Sequence, residues 1–241
     1  MYLEGFYTYL QFEKRYSKNT LEAYSKDISQ FQDFLIQEYQ SDDPELLRVN
    51  HRQVRAWVIH LMNNNVTPKS VNRKISALKT YYRFLLKNNA IAKNPMAKVV
   101  SPKIPKKLPL FVEKTGMEEL FDVLDQVYPV ETEVQRFVKQ RDRLIVELLY
   151  STGMRRAELL GLADNSFDRA QQQVKVLGKG NKERIIPVSK GLMLMADDYI
   201  AERKRIFGAG GPFIVTESGK PAYPKMIYNI VHQVLNHVTT L

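Results

Sequence analysis

The chain has 241 residues, 44% of them hydrophobic, with 36 Lys and Arg against 26 Asp and Glu, a formal charge of +10. Eleven Gly and 11 Pro exclude a collagenous or disordered chain, and no apolar run approaches the ~18 residues of a membrane helix. The absence of cysteine excludes disulfides, thiolate metal sites and cysteine nucleophiles, and four histidines argue against a histidine metal centre, so neither metal nor cofactor is expected.

The first residues, Met1-Tyr2-Leu3-Glu4-Gly5, lack the basic-then-apolar pattern of a signal peptide, and a cytoplasmic protein is expected. Leu21, Tyr24, Ile28, Phe31 and Leu35 recur at spacings of three and four, which predicts an amphipathic helix with Ser17 as its N-cap. A second helix is predicted from about Asn50 to Asn63, with Val54, Trp57, Val58 and Leu61 inward. Asn63-Asn64-Asn65 breaks it. Thr67-Pro68, a capping residue followed by proline at the first helical position, starts a third. That helix carries Val71, Ile75, Leu78, Tyr82 and Leu85 on one face. At ~100° per residue, Lys69, Arg73, Ser76, Thr80, Arg83 and Lys87 fall in a narrow arc on the other side. One face can pack while the other meets phosphates.

Charge sharpens this reading. Between Glu45 and Glu113 there are 14 Lys or Arg and no acid. A solvated helical surface normally mixes signs, because opposite charges at i,i+4 are mildly stabilising. Sustained omission of acids points to a polyanionic partner. Residues 101–109, Ser-Pro-Lys-Ile-Pro-Lys-Lys-Leu-Pro, cannot be helical and predict an extended basic linker, kept positive by Lys103, Lys106 and Lys107. The expected division is therefore a basic helical domain over 1–100, a linker over 101–110 and a near-neutral second domain over 111–241.

The second domain is predicted to open with the capping box Thr115-Gly116-Met117-Glu118, leading into Leu120, Phe121 and Leu124. A helix follows from about Val138 to Tyr150, then a turn at Gly153 and a short helix through Leu162. Val174–Leu177 and Glu183–Val188 read as strands around the hairpin loop Gly178-Lys179-Gly180-Asn181-Lys182. Further helices are expected near Leu192–Arg205 and Lys225–His237, with a short strand at Phe213-Ile214-Val215.

Two segments, Thr152-Gly153-Met154-Arg155-Arg156-Ala157-Glu158-Leu159 and Leu177-Gly178-Lys179-Gly180-Asn181-Lys182-Glu183-Arg184-Ile185-Ile186-Pro187, closely resemble the tyrosine site-specific recombinases of the Xer and phage-integrase type. Ser17–Tyr24, Ile75–Leu85, Asn94-Pro95 and Lys106–Pro109 resemble that family's core-binding domain and interdomain connection. The resemblance implies a mainly α fold with a small antiparallel β-sheet. A SAM-like helical core-binding domain precedes an α+β catalytic domain, and the two clamp double-stranded DNA.

The resemblance also implies chemistry: transfer of a DNA phosphodiester to a tyrosine through a 3′-phosphotyrosine intermediate, without metal. Charge then builds on the non-bridging oxygens, and arginine suits them because it is always charged and presents paired donors. Arg155 matches the first clamp arginine, while Arg156 would point elsewhere. Lys179 matches the lysine that protonates the departing 5′-oxygen, with Lys182 as a rival, since burial and nearby cations lower a lysine's pKa. Glu158 either supports Arg155 or is an exposed helix charge. Lys69, Arg73, Thr80, Arg83, Lys87, Lys106, Lys107 and Lys182 are the expected DNA contacts. Active assemblies of the family are homo- or hetero-tetramers on DNA, and a monomer is expected for this chain alone.

The family's His-x-x-Arg motif and nucleophilic tyrosine find no match. His51, His60, His232 and His237 lack an Arg three residues on. Tyr150, Tyr223 and Tyr228 read as packing residues. The expectation is a catalytic domain truncated before these motifs, so that the chain binds DNA without cleaving it. The alternative is a non-catalytic DNA-binding regulator or degenerate integrase. A nucleotide-binding enzyme is disfavoured, because the Gly-rich loop lacks the Walker pattern.

Overall fold

The computed structural model describes residues 2–39, 46–105, 132–178 and 180–238. The expected capping box at Thr115–Glu118, the end of the linker, and Lys106, Lys107 and Lys179 lie outside the described residues. The chain divides into two compact units, Met1–Leu108 and Pro109–Leu241.

The first unit is helical: α1 (Tyr2–Thr8) running into a π-helical turn (Tyr9–Glu13), α2 (Lys18–Tyr39), α3 (His51–Asn63) and α4 (Pro68–Lys87). Local chemistry sets these limits. The Thr20 amide donates to Ser17 Oγ at 3.4 Å at the start of α2. Asn50 and Gln53 form a reciprocal capping box on α3, and Asn65 leaves the helix with φ of 57°. Thr67 Oγ1 accepts from the Ser70 amide, with Pro68 in the first turn of α4. The predicted apolar faces then meet. Phe31 lies against Trp57 with ring centroids 4.9 Å apart, and Val71, Ile75, Leu78, Tyr82 and Leu85 are all buried. α1 and the π-turn were not predicted, because only Phe6 and Leu10 are buried there, too few for a periodic signal.

Among the described residues, the core of this unit contains one acid. Asp27 on α2 is fully buried and takes ion pairs from Arg73 and Lys74 of α4, the latter at 3.0 Å. Lys74 Nζ also donates to Gln30 Oε1.

The second unit comprises α5 (Glu133–Thr152), α6 (Arg156–Leu160), a 3₁₀ turn (Asp164–Ser166), β1 (Phe167–Asp168), β2 (Gln173–Leu177), β3 (Glu183–Pro187), α7 (Lys190–Phe207) and α8 (Pro224–Val238). The three strands form one antiparallel sheet in sequence order. α5 packs on α7 around Phe137, Leu144, Ile145, Leu148 and Tyr199, and Val174 and Val176 join them from the sheet. The fold is thus mainly α with a small antiparallel sheet.

Several expectations are corrected in detail. α5 starts earlier than predicted because Thr132 and Gln135 form a capping box. The two-residue β1 is too short for a visible alternation. Phe213-Ile214-Val215 makes only an isolated bridge, Val215 to Pro221. Side chains occupy the backbone groups that a ladder would use: the Val215 amide donates to the Tyr199 hydroxyl, and its carbonyl accepts from Arg141. Tyr150, Tyr223 and Tyr228, expected as packing residues, are about half exposed. Tyr228 lies on the polar side of α8, opposite Ile227, Ile230 and Val234, with Lys225 Nζ 4.7 Å from its ring centroid. Among the described residues no helix is long and apolar enough to cross a membrane.

The Asp27 cluster sets a test. Replacing Asp27 by Ala leaves the Lys74 side chain, 8% exposed, without its counter-ion. Breaking a buried pair in this way costs about 3–5 kcal/mol, to be read as a lower urea midpoint, and adding Lys74→Met should recover much of the loss.

Candidate active site

The site is built where α5 ends. Gly153 adopts φ of 59°, a left-handed conformation that suits glycine and stops the helix. The next residue, Met154, is buried in the core, and its amide donates to Thr152 Oγ1 at 3.2 Å. Arg155 follows in extended backbone (φ −75°, ψ 151°) at the head of α6. Its side chain is 67% exposed.

Glu158 lies one turn into α6, and its side chain is buried. Both its oxygens are used twice. Oε2 accepts the Arg155 amide at 2.7 Å and Arg184 Nη2 at 2.8 Å. Oε1 accepts Arg155 Nη1 and Arg184 Nη1, each at 2.9 Å. Gly178, at the end of β2, approaches the same carboxylate: a Cβ there would stand 3.2 Å from Glu158 Oε1 and 3.3 Å from the Lys182 carbonyl. The base of the hairpin loop is closed by the Gly178 amide, which donates to the Lys182 carbonyl at 2.7 Å. The structure thus brings the head of α6 together with both strands of the hairpin that leads to Lys179.

Burial pushes the Glu158 carboxyl up, but hydrogen bonds from the Arg155 amide and guanidinium and from Arg184 outweigh it, and the net shift is downward. One carboxylate under two guanidinium groups leaves the cluster with one net positive charge. The Arg155 side chain is two-thirds exposed, and its guanidinium can offer donors beyond the Nη1 bond to Glu158 to an anion. Among the described residues no group of three His, Asp or Glu side chains could hold a metal ion.

The other predicted residues are distributed as follows. Arg156 turns away from Glu158 and donates to the Pro224 carbonyl, as expected. Lys182 is exposed beside the hairpin loop. On α4, Lys69, Arg73, Arg83 and Lys87 are exposed and Thr80 is partly so. The arc is not uniformly free. Arg73, 44% exposed, is tied to Asp27 and to the Ala23 carbonyl. Lys87 stands 3.7 Å from Glu13 and over the ring of Tyr9, and the Thr80 hydroxyl donates to the Ser76 carbonyl.

The motif carries no evident role for Arg184, but the hairpin register pairs it with the buried Val176 and so aims it inward. Of the two readings of Glu158, supporting acid or surface charge, its burial decides for the former. A carboxyl held below its unfolded value of 4.5 stabilises the fold above that value, and the contribution disappears as pH falls through the lower folded value. Glu158→Gln should therefore cost about 2 kcal/mol at neutral pH. The difference from the parent chain should close on acidification below 4.5, as followed by thermal melts across pH.

Comparison with known proteins identifies the family. Residues 3–89 match the phage integrase N-terminal SAM-like domain and residues 112–240 match the phage integrase family. Tyrosine recombinase XerC of Chlorobaculum tepidum is 33% identical over an alignment covering 99% of this chain and 76% of the relative. Tyrosine recombinase XerC of Staphylococcus saprophyticus is 33% identical, over 94% of this chain and 73% of that one. The fold is similar to a lambda integrase (75–356) dimer bound to a COC′ core site, with a TM-score of 0.68 and 16% identity over 98% of this chain and 80% of that one. It is also similar to XerH recombinase in a pre-cleavage complex with difH, with a TM-score of 0.67 and 15% identity over 90% of this chain and 62% of that one. With both units matched in order, the chain belongs to the phage integrase family and is a Xer-like tyrosine recombinase.

Proposed function

We propose that this recombinase grips duplex DNA with a core-binding domain over 1–100, a basic connection over 101–110 and a catalytic domain from 111, and that Arg155 and Lys179 act directly on the scissile phosphate. A tyrosine hydroxyl gives up its proton to solvent as its oxygen attacks phosphorus; the new P–O bond forms as the bond to the 5′-oxygen breaks. Arg155 holds the non-bridging oxygens, whose charge rises in the transition state. The ammonium of Lys179 gives its proton to the departing 5′-oxygen. Religation runs the same steps backwards, so no strand end is left free.

The observation that carries this reading is the exposed Arg155 guanidinium braced by a buried carboxylate. Such bracing fixes a cation in advance, so little reorganisation is needed when phosphate charge develops. Lys69, Thr80, Arg83 and Lys182 supply backbone contacts, with Lys106 and Lys107 continuing them along the connection. Arg73 and Lys87 contribute from within their existing ion pairs. Solved relatives of this fold include a dimer on a core site and a tetramer on a Holliday junction. An assembly of several copies on DNA, inside the cytoplasm, goes with this reading.

Residues 1–241 contain no His-x-x-Arg. The 241-residue polypeptide should accordingly bind DNA and yield no covalent adduct on a nicked suicide substrate, whereas a recombinase that carries a His-x-x-Arg motif and a nucleophilic tyrosine should yield one. Arg155→Ala should lower adduct formation by about 10²–10³. An adduct from residues 1–241 would mean that one of the 13 tyrosines is a nucleophile.

Binding itself is tested by salt. Log affinity should fall linearly with log salt, each neutralised phosphate adding ~0.9 to the slope. Arg83→Ala should reduce that slope by about 1 for most DNA sequences alike. A flat salt titration would defeat the proposed grip.

A further inference from the structure

We propose that Arg184 is a positioning residue for strand cleavage. Acting through Glu158, it holds the β2–β3 hairpin, and with it the lysine-bearing loop, in register with Arg155. The proposal rests on the reading of Arg155 as phosphate clamp and of a hairpin lysine as proton donor.

Three contacts converge on one carboxylate. Arg184 Nη1 and Nη2 meet Glu158 Oε1 and Oε2 at 2.9 and 2.8 Å, the two-pronged match that a guanidinium makes with a carboxylate. The Arg155 amide and guanidinium take the remaining lone pairs. A Cβ at Gly178 would stand 3.2 Å from Oε1, so a larger residue there needs the carboxylate to shift by a few tenths of an ångström. A helix start and both sides of a hairpin are thus referred to the same pair of oxygens. Arg184 follows Lys182 by two residues, and Gly178 immediately precedes Lys179, so the loop hangs from a base fixed on each side. Within it Gly180 and Asn181 both have left-handed φ, 76° and 60°. The fork on Glu158 fixes that base from below.

Other arginine–carboxylate pairs of this unit serve elsewhere. Arg203 joins Asp164 to the carbonyls of Pro212 and Phe213, and Arg169 joins Asp197. Neither touches α6 or the hairpin loop. The Arg184 pair alone, among the described residues, spans from β3 to the acid that braces Arg155.

Lysine keeps the charge of Arg184 but loses the fork. In the recombinase with its full set of catalytic groups, Arg184→Lys should slow single-turnover cleavage of ordinary DNA by about 10- to 100-fold, the scale expected when a reacting group is displaced by about 1 Å. With a 5′-thio leaving group, which needs little protonation, the rate should return to within about threefold of the parent. Gly178→Ala, which crowds Oε1 without removing any charge, should show the same pattern. Thermal melting of residues 1–241 carrying each change reports whether the fold is kept.

The positioning role is overturned if Arg184→Lys cleaves ordinary DNA at the parental rate. It is equally overturned if the variant is slowed to the same degree on both substrates. Should Arg184→Lys be rescued by the thio substrate while Lys179→Ala is not, the assignment of the acid to Lys179 fails and the positioning role stands. The reverse pattern removes the positioning role alone.

Discussion

A carboxylate taken out of water has to be satisfied on both oxygens, and in the second unit that requirement organises the site. Glu158 meets it with two guanidinium groups and a backbone amide drawn from α6 and β3. Buried ion pairs of this kind contribute little net stability, because desolvation offsets attraction. Their value is geometric. The acid accepts only one arrangement of its donors, so the head of α6 and the strand that returns from the loop cannot drift independently. A site that must hold a phosphate in a fixed place needs that kind of constraint more than it needs extra stability.

The first unit applies the same device to a different end. Asp27 is buried between Arg73 and Lys74, and again one acid serves two cations. There the acid fastens α2 to α4 and keeps part of the basic arc anchored to the fold. The stretch after Glu45 reads in the sequence as acid-free and therefore uncompensated. In three dimensions part of its charge is compensated from α2. The cations left more fully exposed, Lys69 and Arg83 among them, are the ones whose charge remains for a partner.

Periodicity made the helices legible. The apolar stripes of α2, α3 and α4 close the core of the first unit as their spacing implies, and the Thr67 and Gly153 signals begin or end helices where expected. The two-strand hairpin was equally legible from its β-rich runs and Gly-rich loop. Short pieces were not: Tyr2–Thr8 and Phe167–Asp168 bury too few residues to leave a pattern. Long-range polar pairing was invisible for another reason. Helical spacing puts Lys74 on the packed face of α4 and the hairpin register aims Arg184 inward, but neither names the acid it meets, 47 and 26 positions away. Arg155 and Glu158, three positions apart, share a motif, and that closeness made their pairing foreseeable.

The composition of α4 has a consequence for how the first unit assembles. The helix carries Lys69, Arg73, Lys74, Lys79, Arg83 and Lys87 and no acid, so its i,i+4 neighbours repel instead of supporting one another. Cut out as a peptide it would be a poor helix former. Its helicity is borrowed from docking against α2, where Asp27 cancels charge and the apolar stripe finds its partner. Secondary and tertiary structure in this unit must then form together. A segment tuned to meet an external polyanion depends, while folding, on a buried anion of the protein's own.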